Sequence, residues 1–123
     1  MDRRHFLAGL AATSAAAVSP LAMAQDWPNN SVRWVVRYPA GGGTGVLART
    51  VAEAMRKTLN QTIVIDNRPG ASTNIGGQMV AGAKPDGYTI MSADNAILAY
   101  NEHLFSKLPF SPEKDFTYIG GIS

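Results

Sequence analysis

Residues 32–44 read VRWVVRYPAGGGT, and this stretch decides the fold class. The β-branched and aromatic run 32–36 predicts a strand, which the proline and the glycines at 41–43 must end. From Thr44 onward, apolar residues recur every three or four positions, which predicts an amphipathic helix with Thr44 as its N-cap and Asn60 at its end. The stretch therefore predicts a strand, a glycine turn and a helix.

Strands and helices alternate along the rest of the chain. The predicted elements are a strand at 62–65, a helix capped by Thr73 or Asn74 that runs to Ala83, a strand at 88–91, a helix at 96–104, an extended segment at 108–112 and a strand at 118–122. This order predicts an α/β fold with a parallel sheet and right-handed crossovers. Because the chain stops at Ser123, inside a predicted strand, we expect it to be incomplete.

Residues 1–24 have the features of an export signal. Arg3 and Arg4 precede an apolar run, and Ala22 and Ala24 supply the small-x-small pattern that a signal peptidase needs. The arginine pair followed by His-Phe-Leu resembles a twin-arginine signal, and an ordinary Sec leader is the alternative. We expect cleavage after Ala24, a periplasmic product, and a partial N-terminal domain in residues 25–123.

The composition excludes several function classes. Without residues 1–24 the chain has 9 basic and 8 acidic residues, interspersed, so no basic stripe is available for nucleic acid. The absence of cysteine excludes disulfides, thiolate metal sites and a cysteine nucleophile. His103 is the only histidine outside the leader, so a two-histidine metal site is excluded there. No G-x-S-x-G serine motif is present.

Two glycine-containing turns, at 41–44 and 70–76, each follow a predicted strand and precede a helix. The first amides of a helix lack intrahelical partners and lie at the positive end of its dipole, so two such turns on neighbouring strands predict a site for a small carboxylate. The alternative is that these glycines only permit tight turns with positive φ.

A dinucleotide site is a second alternative. Gly43, Gly45 and Ala48 fit the pattern G-x-G-x-x-G/A, and Asp66 ends the second strand where a ribose-binding acid would stand. Six residues separate the first strand from Gly43, however, whereas the motif requires the glycine close behind the strand. This reading predicts an exported nicotinamide-nucleotide-dependent oxidoreductase.

Four stretches in order resemble the periplasmic solute-binding proteins of tripartite tricarboxylate transporters, also called Bug-type receptors. They are 38–49 (YPAGGGTGVLAR), 66–76 (DNRPGASTNIG), 85–89 (PDGYT) and 107–116 (KLPFSPEKDF). The resemblance implies a hinged two-domain α/β binding protein of the type II periplasmic class, of which this chain holds the first part of domain 1. It also implies a non-enzymatic, monomeric receptor without a cofactor that captures a small organic acid for a membrane permease.

The resemblance places ligand contacts on three loops. The expected binding residues are Tyr38, Ala40, Gly41, Gly42, Gly43 and Thr44 from the first loop, Ala71, Ser72, Thr73 and Asn74 from the second, and Asp94 and Asn95 from the third. Gly45 stands where the family usually has an acid, and Ser72 and Thr73 stand where it often has glycine. A carboxylate at Asp94 would repel an anion or favour one that also carries an amine or a hydroxyl, so the ligand is expected to be a carboxylate that is not necessarily a tricarboxylate.

Overall fold

The computed structural model describes residues 26–122, and the predicted leader lies outside them. The elements in chain order are β1 (Val32–Val36), α1 (Gly43–Leu59), β2 (Ile63–Asn67), a 3-10 turn (Ala71–Thr73), α2 (Asn74–Ala81), β3 (Thr89–Met91), a π-helical turn (Ala96–Tyr100), α3 (Asn101–Leu104) and α4 (Pro112–Asp115). No helix among residues 26–122 is long and apolar enough to cross a membrane.

The three strands form one parallel sheet in the order β2-β1-β3, which confirms the predicted α/β fold class. Val32 lies opposite Ile63 and Val36 opposite Asn67. The second strand begins at Ile63 and ends two residues later than predicted, because polar Asp66 and Asn67 still pair with β1. All three strands point the same way, so the loops after them leave from one edge of the sheet.

One face of the sheet packs against α1. The core there contains Val32, Trp34 and Val36 from β1, together with Ala48, Ala52 and Ile63. The small alanine side chains let the helix lie close to the strands. The helix begins at Gly43 with Gly42 as its N-cap, so the prediction of Thr44 as the cap is wrong. Asn60 ends the helix in the left-handed conformation at φ 52°, as expected.

The opposite face is covered by α2 and the π-helical turn. Val35 and Ile97 are fully buried there. Gly77 allows the close approach, since a Cβ at that position would lie 2.4 Å from Ile97 Cδ1 and 2.8 Å from Phe110 Cζ. The sheet is therefore sandwiched between helical layers over β1, the central strand.

The last third of the chain departs from prediction in three places. The segment 96–104 is a π-helical turn followed by a single α-helical turn. The predicted extended segment ends in α4, where Pro112 occupies the first turn and Asp115 Oδ2 accepts the Ser111 amide at 2.7 Å. The predicted strand at 118–122 is wrong: the segment contains no strand and Ile119 is 84% exposed, because it pairs with no edge of the described sheet.

Candidate ligand-binding site

Three loops meet at the carboxyl edge of the sheet. We name them the first loop (37–42, after β1), the second loop (68–73, after β2) and the third loop (92–95, after β3). The Arg68 amide donates to the Val36 carbonyl at 2.8 Å and the Ser92 amide to the Val35 carbonyl at 3.2 Å, which fixes the outer loops to the central strand. The predicted site residues all lie on these loops or on the helix starts that follow them. This edge is where parallel α/β sheets bind ligands.

Arg37 ties the three loops together. Arg37 is buried, with only 1% of its surface exposed to solvent. Its Nε donates to the Ser92 carbonyl at 2.9 Å, its Nη2 donates to Asp94 Oδ1 at 2.8 Å and its Nη1 donates to the Thr73 hydroxyl. A buried guanidinium is tolerated only when its charge and its donors are matched, and here each neighbouring loop supplies an acceptor.

Asp94 is anchored through one carboxylate oxygen. Besides the Arg37 bond, Oδ1 accepts the amides of Ala96 at 3.1 Å and Ile97 at 3.4 Å, while Oδ2 accepts the Tyr38 hydroxyl. Partial burial raises the pKa of Asp94, but the hydrogen bonds from Arg37 and Tyr38 outweigh it and hold the pKa below its ordinary 3.8. The carboxylate is therefore charged at neutral pH, and Arg37 balances the charge that was expected to repel an anion.

Tyr38 links the first loop to the third. Its hydrogen bond to Asp94, with burial and the Asp94 charge in support, raises the pKa of its hydroxyl above the ordinary 10.0. The hydroxyl therefore keeps its proton and remains a donor to the carboxylate. The Tyr38 carbonyl accepts the side-chain amide of Asn67 at 2.9 Å, which holds the first loop against the end of β2.

The glycines at the end of the first loop and at the start of α1 are not required by the local backbone. None of Gly41, Gly42 and Gly43 has a positive φ, which excludes for this loop the alternative of tight turns with positive φ. A Cβ at Gly41 or Gly43 would meet nothing within 4 Å. Gly45 and Val46 donate to the Gly42 carbonyl, so the amides of Gly43 and Thr44 stand at the open end of α1.

The second loop has a constrained backbone. Gly70 has φ 124°, so the positive-φ alternative holds at this position. Ala71, Ser72 and Thr73 follow at φ 46°, 51° and 75°, a region that side chains of L-residues seldom adopt. Asn101 supports this shape, because its side-chain amide donates to the Ser72 carbonyl at 2.9 Å and to Asn74 Oδ1 at 2.6 Å.

The predicted side chains of the second loop divide into two groups. Ala71 and Ser72 are exposed at the edge, whereas Thr73 and Asn74 are buried and bonded to Arg37 and Asn101. Neither Thr73 nor Asn74 caps α2 with its side chain. In the first loop, the Ala40 carbonyl accepts a hydrogen bond from Arg49 Nη1 at 3.0 Å. Asn95 is exposed ahead of the π-helical turn.

The geometry does not reproduce a dinucleotide-binding turn. Gly43, Gly45 and Ala48 all lie inside α1, and Gly45 is accounted for by packing, since a Cβ there would lie 2.9 Å from the Ala40 carbonyl oxygen. Asp66 lies within β2 and accepts the Arg68 Nε at 2.8 Å. Packing therefore accounts for Gly45, and a local ion pair accounts for Asp66.

A cavity of about 400 Å³ lies away from the three loops. Its lining includes Arg33 and Thr89 near the amino ends of β1 and β3, together with Lys84 and Asp86. At the carboxyl edge, the three loops of the part of the chain that the structure describes lie side by side on an open surface. A ligand bound there would need a second wall to enclose it.

Comparison with known proteins identifies the family. The family model described as "Tripartite tricarboxylate transporter family receptor" matches residues 47–123. A UPF0065 protein of Bordetella bronchiseptica is 43% identical over 103 residues, which are 84% of this chain and 31% of that protein. This chain belongs to the tripartite tricarboxylate transporter receptor family. The family resemblance seen in the sequence is thereby confirmed.

Further similar proteins support the assignment. BugT of Bordetella pertussis is 32% identical over 99% of this chain and 37% of its own. MatC of Rhodopseudomonas palustris, solved with bound malate, has a TM-score of 0.70 and 38% identity over 74% of this chain and 31% of its own. An R. palustris protein solved with adipate has a TM-score of 0.68 and 38% identity over 72% of this chain and 29% of its own. This chain spans about a third of the length of the curated relatives it matches.

Sequence reasoning missed three residues of the candidate site. Arg37, Ser92 and Asn101 were not predicted, yet they fix the loops to one another. A signal for Arg37 was present: it follows Arg33 and Val35 at the two-residue spacing of one strand face, and Asp94 follows the neighbouring strand. An Arg and an Asp at adjacent carboxyl ends of a parallel sheet are within reach of each other.

Proposed function

We propose that this receptor chain is exported to the periplasm and forms the first wall of a cleft that captures a small organic acid for a membrane permease. The observation that carries the proposal is the open space at Gly41 and Gly43, beside the free helix amides of α1. Glycines without a backbone requirement leave room for another group to reach those amides. The ligand carboxylate fits there because the helix start favours negative charge.

The wider binding surface includes the backbone of the second loop and the Tyr38–Asp94 pair, which joins the first loop to the third. Predicted contacts from Tyr38, Ala40 to Thr44, Ala71 to Asn74, Asp94 and Asn95 remain part of this proposal, with Thr73 and Asn74 acting through loop shape. Related receptors solved with adipate and malate support a carboxylate ligand. Bridging waters would complete contacts that the backbone amides do not make directly.

The test is a calorimetric titration of the protein produced from its complete gene against mono-, di- and tricarboxylates, with nicotinamide nucleotides in parallel. Binding of a carboxylate alone supports the receptor, whereas binding of a nucleotide alone would support the oxidoreductase alternative. Failure of a folded protein to bind any acid would overturn the proposal.

Glycine variants locate the site. Gly41→Ala combined with Gly43→Ala adds two methyl groups into open space, so the melting temperature should hold while the affinity falls about tenfold or more. Gly82→Ala is the matched control, because Gly82 has a negative φ and lies at the far end of α2. Unchanged affinity in the double variant would place the ligand elsewhere.

A further inference from the structure

We propose that Asp94, whose charge is balanced by the buried Arg37 and whose carboxylate is held by Tyr38, accepts a hydrogen bond from the ligand and thereby selects an organic acid that carries a hydroxyl group beside its carboxylate. The inference rests on the proposed function and assigns the substrate class of the same site. It follows from which atoms of this cluster are occupied and which remain open.

The two oxygens of Asp94 have different surroundings. Oδ1 accepts three hydrogen bonds, from Arg37, Ala96 and Ile97, and these fix the carboxylate in place. Among residues 26–122, Oδ2 accepts only the Tyr38 hydroxyl. The Asp94 side chain is 39% exposed, and because Oδ1 already accepts three hydrogen bonds, Oδ2 is the oxygen with a lone pair left for a ligand.

Arg37 balances the charge of Asp94 and so determines which kind of hydrogen-bond donor suits the free lone pair of Oδ2. Because Arg37 is buried, it cannot reach a ligand itself, and it acts by compensating the charge of Asp94. An unbalanced aspartate would attract an ammonium group and repel the ligand carboxylate. The balanced pair has no net charge, so it can stand beside an anionic ligand and accept from its neutral hydroxyl.

The supports of the cluster keep the acceptor in position. Gly76 leaves space for the Arg37 stem, since a Cβ there would lie 2.7 Å from Arg37 Cγ. The Ser92 carbonyl accepts a hydrogen bond from Arg37 Nε at 2.9 Å, and the Ser92 hydroxyl accepts one from the Trp34 indole N–H at 2.7 Å. A preorganised acceptor of this kind rejects ligands that leave it unpaired.

The experiment measures selectivity in the protein produced from its complete gene. Each acid of a calorimetric panel is titrated beside its 2-hydroxy counterpart, for example succinate with malate and glutarate with 2-hydroxyglutarate, and aspartate is the amine-bearing comparison. The expected result is about tenfold tighter binding of the hydroxy acid, as for a hydrogen bond to a charged acceptor, with aspartate weaker than malate. Equal affinity for each pair would overturn the inference while leaving the receptor function standing. Failure to bind any acid would overturn both.

Variants test whether Asp94 contacts the ligand hydroxyl or has only a structural role. Asp94→Ala should reduce the hydroxy-acid preference to about onefold, since it removes the acceptor and puts no other polar group in its place. Glu113→Gln on the exposed surface of α4 is the control for loss of one negative charge. The ratio of two affinities within one variant does not depend on its stability, so a preference that survives in Asp94→Ala contradicts the assignment of Oδ2. If that variant does not fold, the comparison of acids in the unmodified protein still decides.

Discussion

Replacing Arg37 by methionine tests whether the buried guanidinium holds the three loops together. The variant keeps the apolar stem against Gly76 and removes donors to Ser92, Thr73 and Asp94. Breaking a fully buried ion pair costs about 3–5 kcal/mol, and leaving a buried carbonyl unpaired costs about 1–3 kcal/mol. The exposed fraction of Asp94, 39%, lets water replace part of its lost partner. We therefore expect the free energy of unfolding to fall by about 2–4 kcal/mol.

Urea unfolding of the protein from its complete gene measures this loss. Tryptophan fluorescence is a suitable signal, because the Trp34 indole donates to the Ser92 hydroxyl and reports on the third loop. Arg33→Met is the matched control: Arg33 lies on the same strand face but is exposed, so its loss should change stability by less than about 0.5 kcal/mol. A double-mutant cycle with Asp94→Asn should give a coupling of about 1 kcal/mol or more. If Arg37→Met unfolds like Arg33→Met, the guanidinium does not hold the loops.

Three further predictions follow from the same geometry. Gly76→Ala should lower the melting temperature, because the clash with the Arg37 stem, about 1–3 kcal/mol, outweighs the gain of about 1 kcal/mol from helix propensity; a raised melting temperature would contradict the packing. Ionised Asp94 stabilises the fold fully above its ordinary pKa of 3.8, and this stability is lost as the pH falls through the lower pKa of the folded state. Urea unfolding measured between about pH 5 and about pH 2 should therefore show a steeper loss of stability in the parent than in Asp94→Asn. Parallel curves would refute this prediction. Mass spectrometry of the exported protein should find Gln25 as its first residue, and a protein that retains residues 1–24 in the periplasm would refute cleavage after Ala24.

The candidate site shows how far residue types can be interpreted without coordinates. The sequence indicated three loops at strand ends, and the parallel sheet brings those loops to one edge. It could not assign side-chain directions within the second loop. Thr73 and Asn74 have polar groups that suit a ligand, but three consecutive left-handed residues and the buried Asn101 turn them into the fold. Such a conformation has no local signature, because contacts distant in sequence stabilise it.

The sequence by itself determined the alternation of strands and helices, the family, and the ends of α1 within a residue or so. These properties depend on periodicity, glycine, proline and short motifs, which act over a few neighbouring residues. The tertiary structure decided that segment 118–122 is not a strand, since a strand needs a partner edge. It also decided that Asp94 is a compensated acceptor rather than a free negative charge, because its partner Arg37 stands 57 positions away and meets it only when β1 and β3 pair.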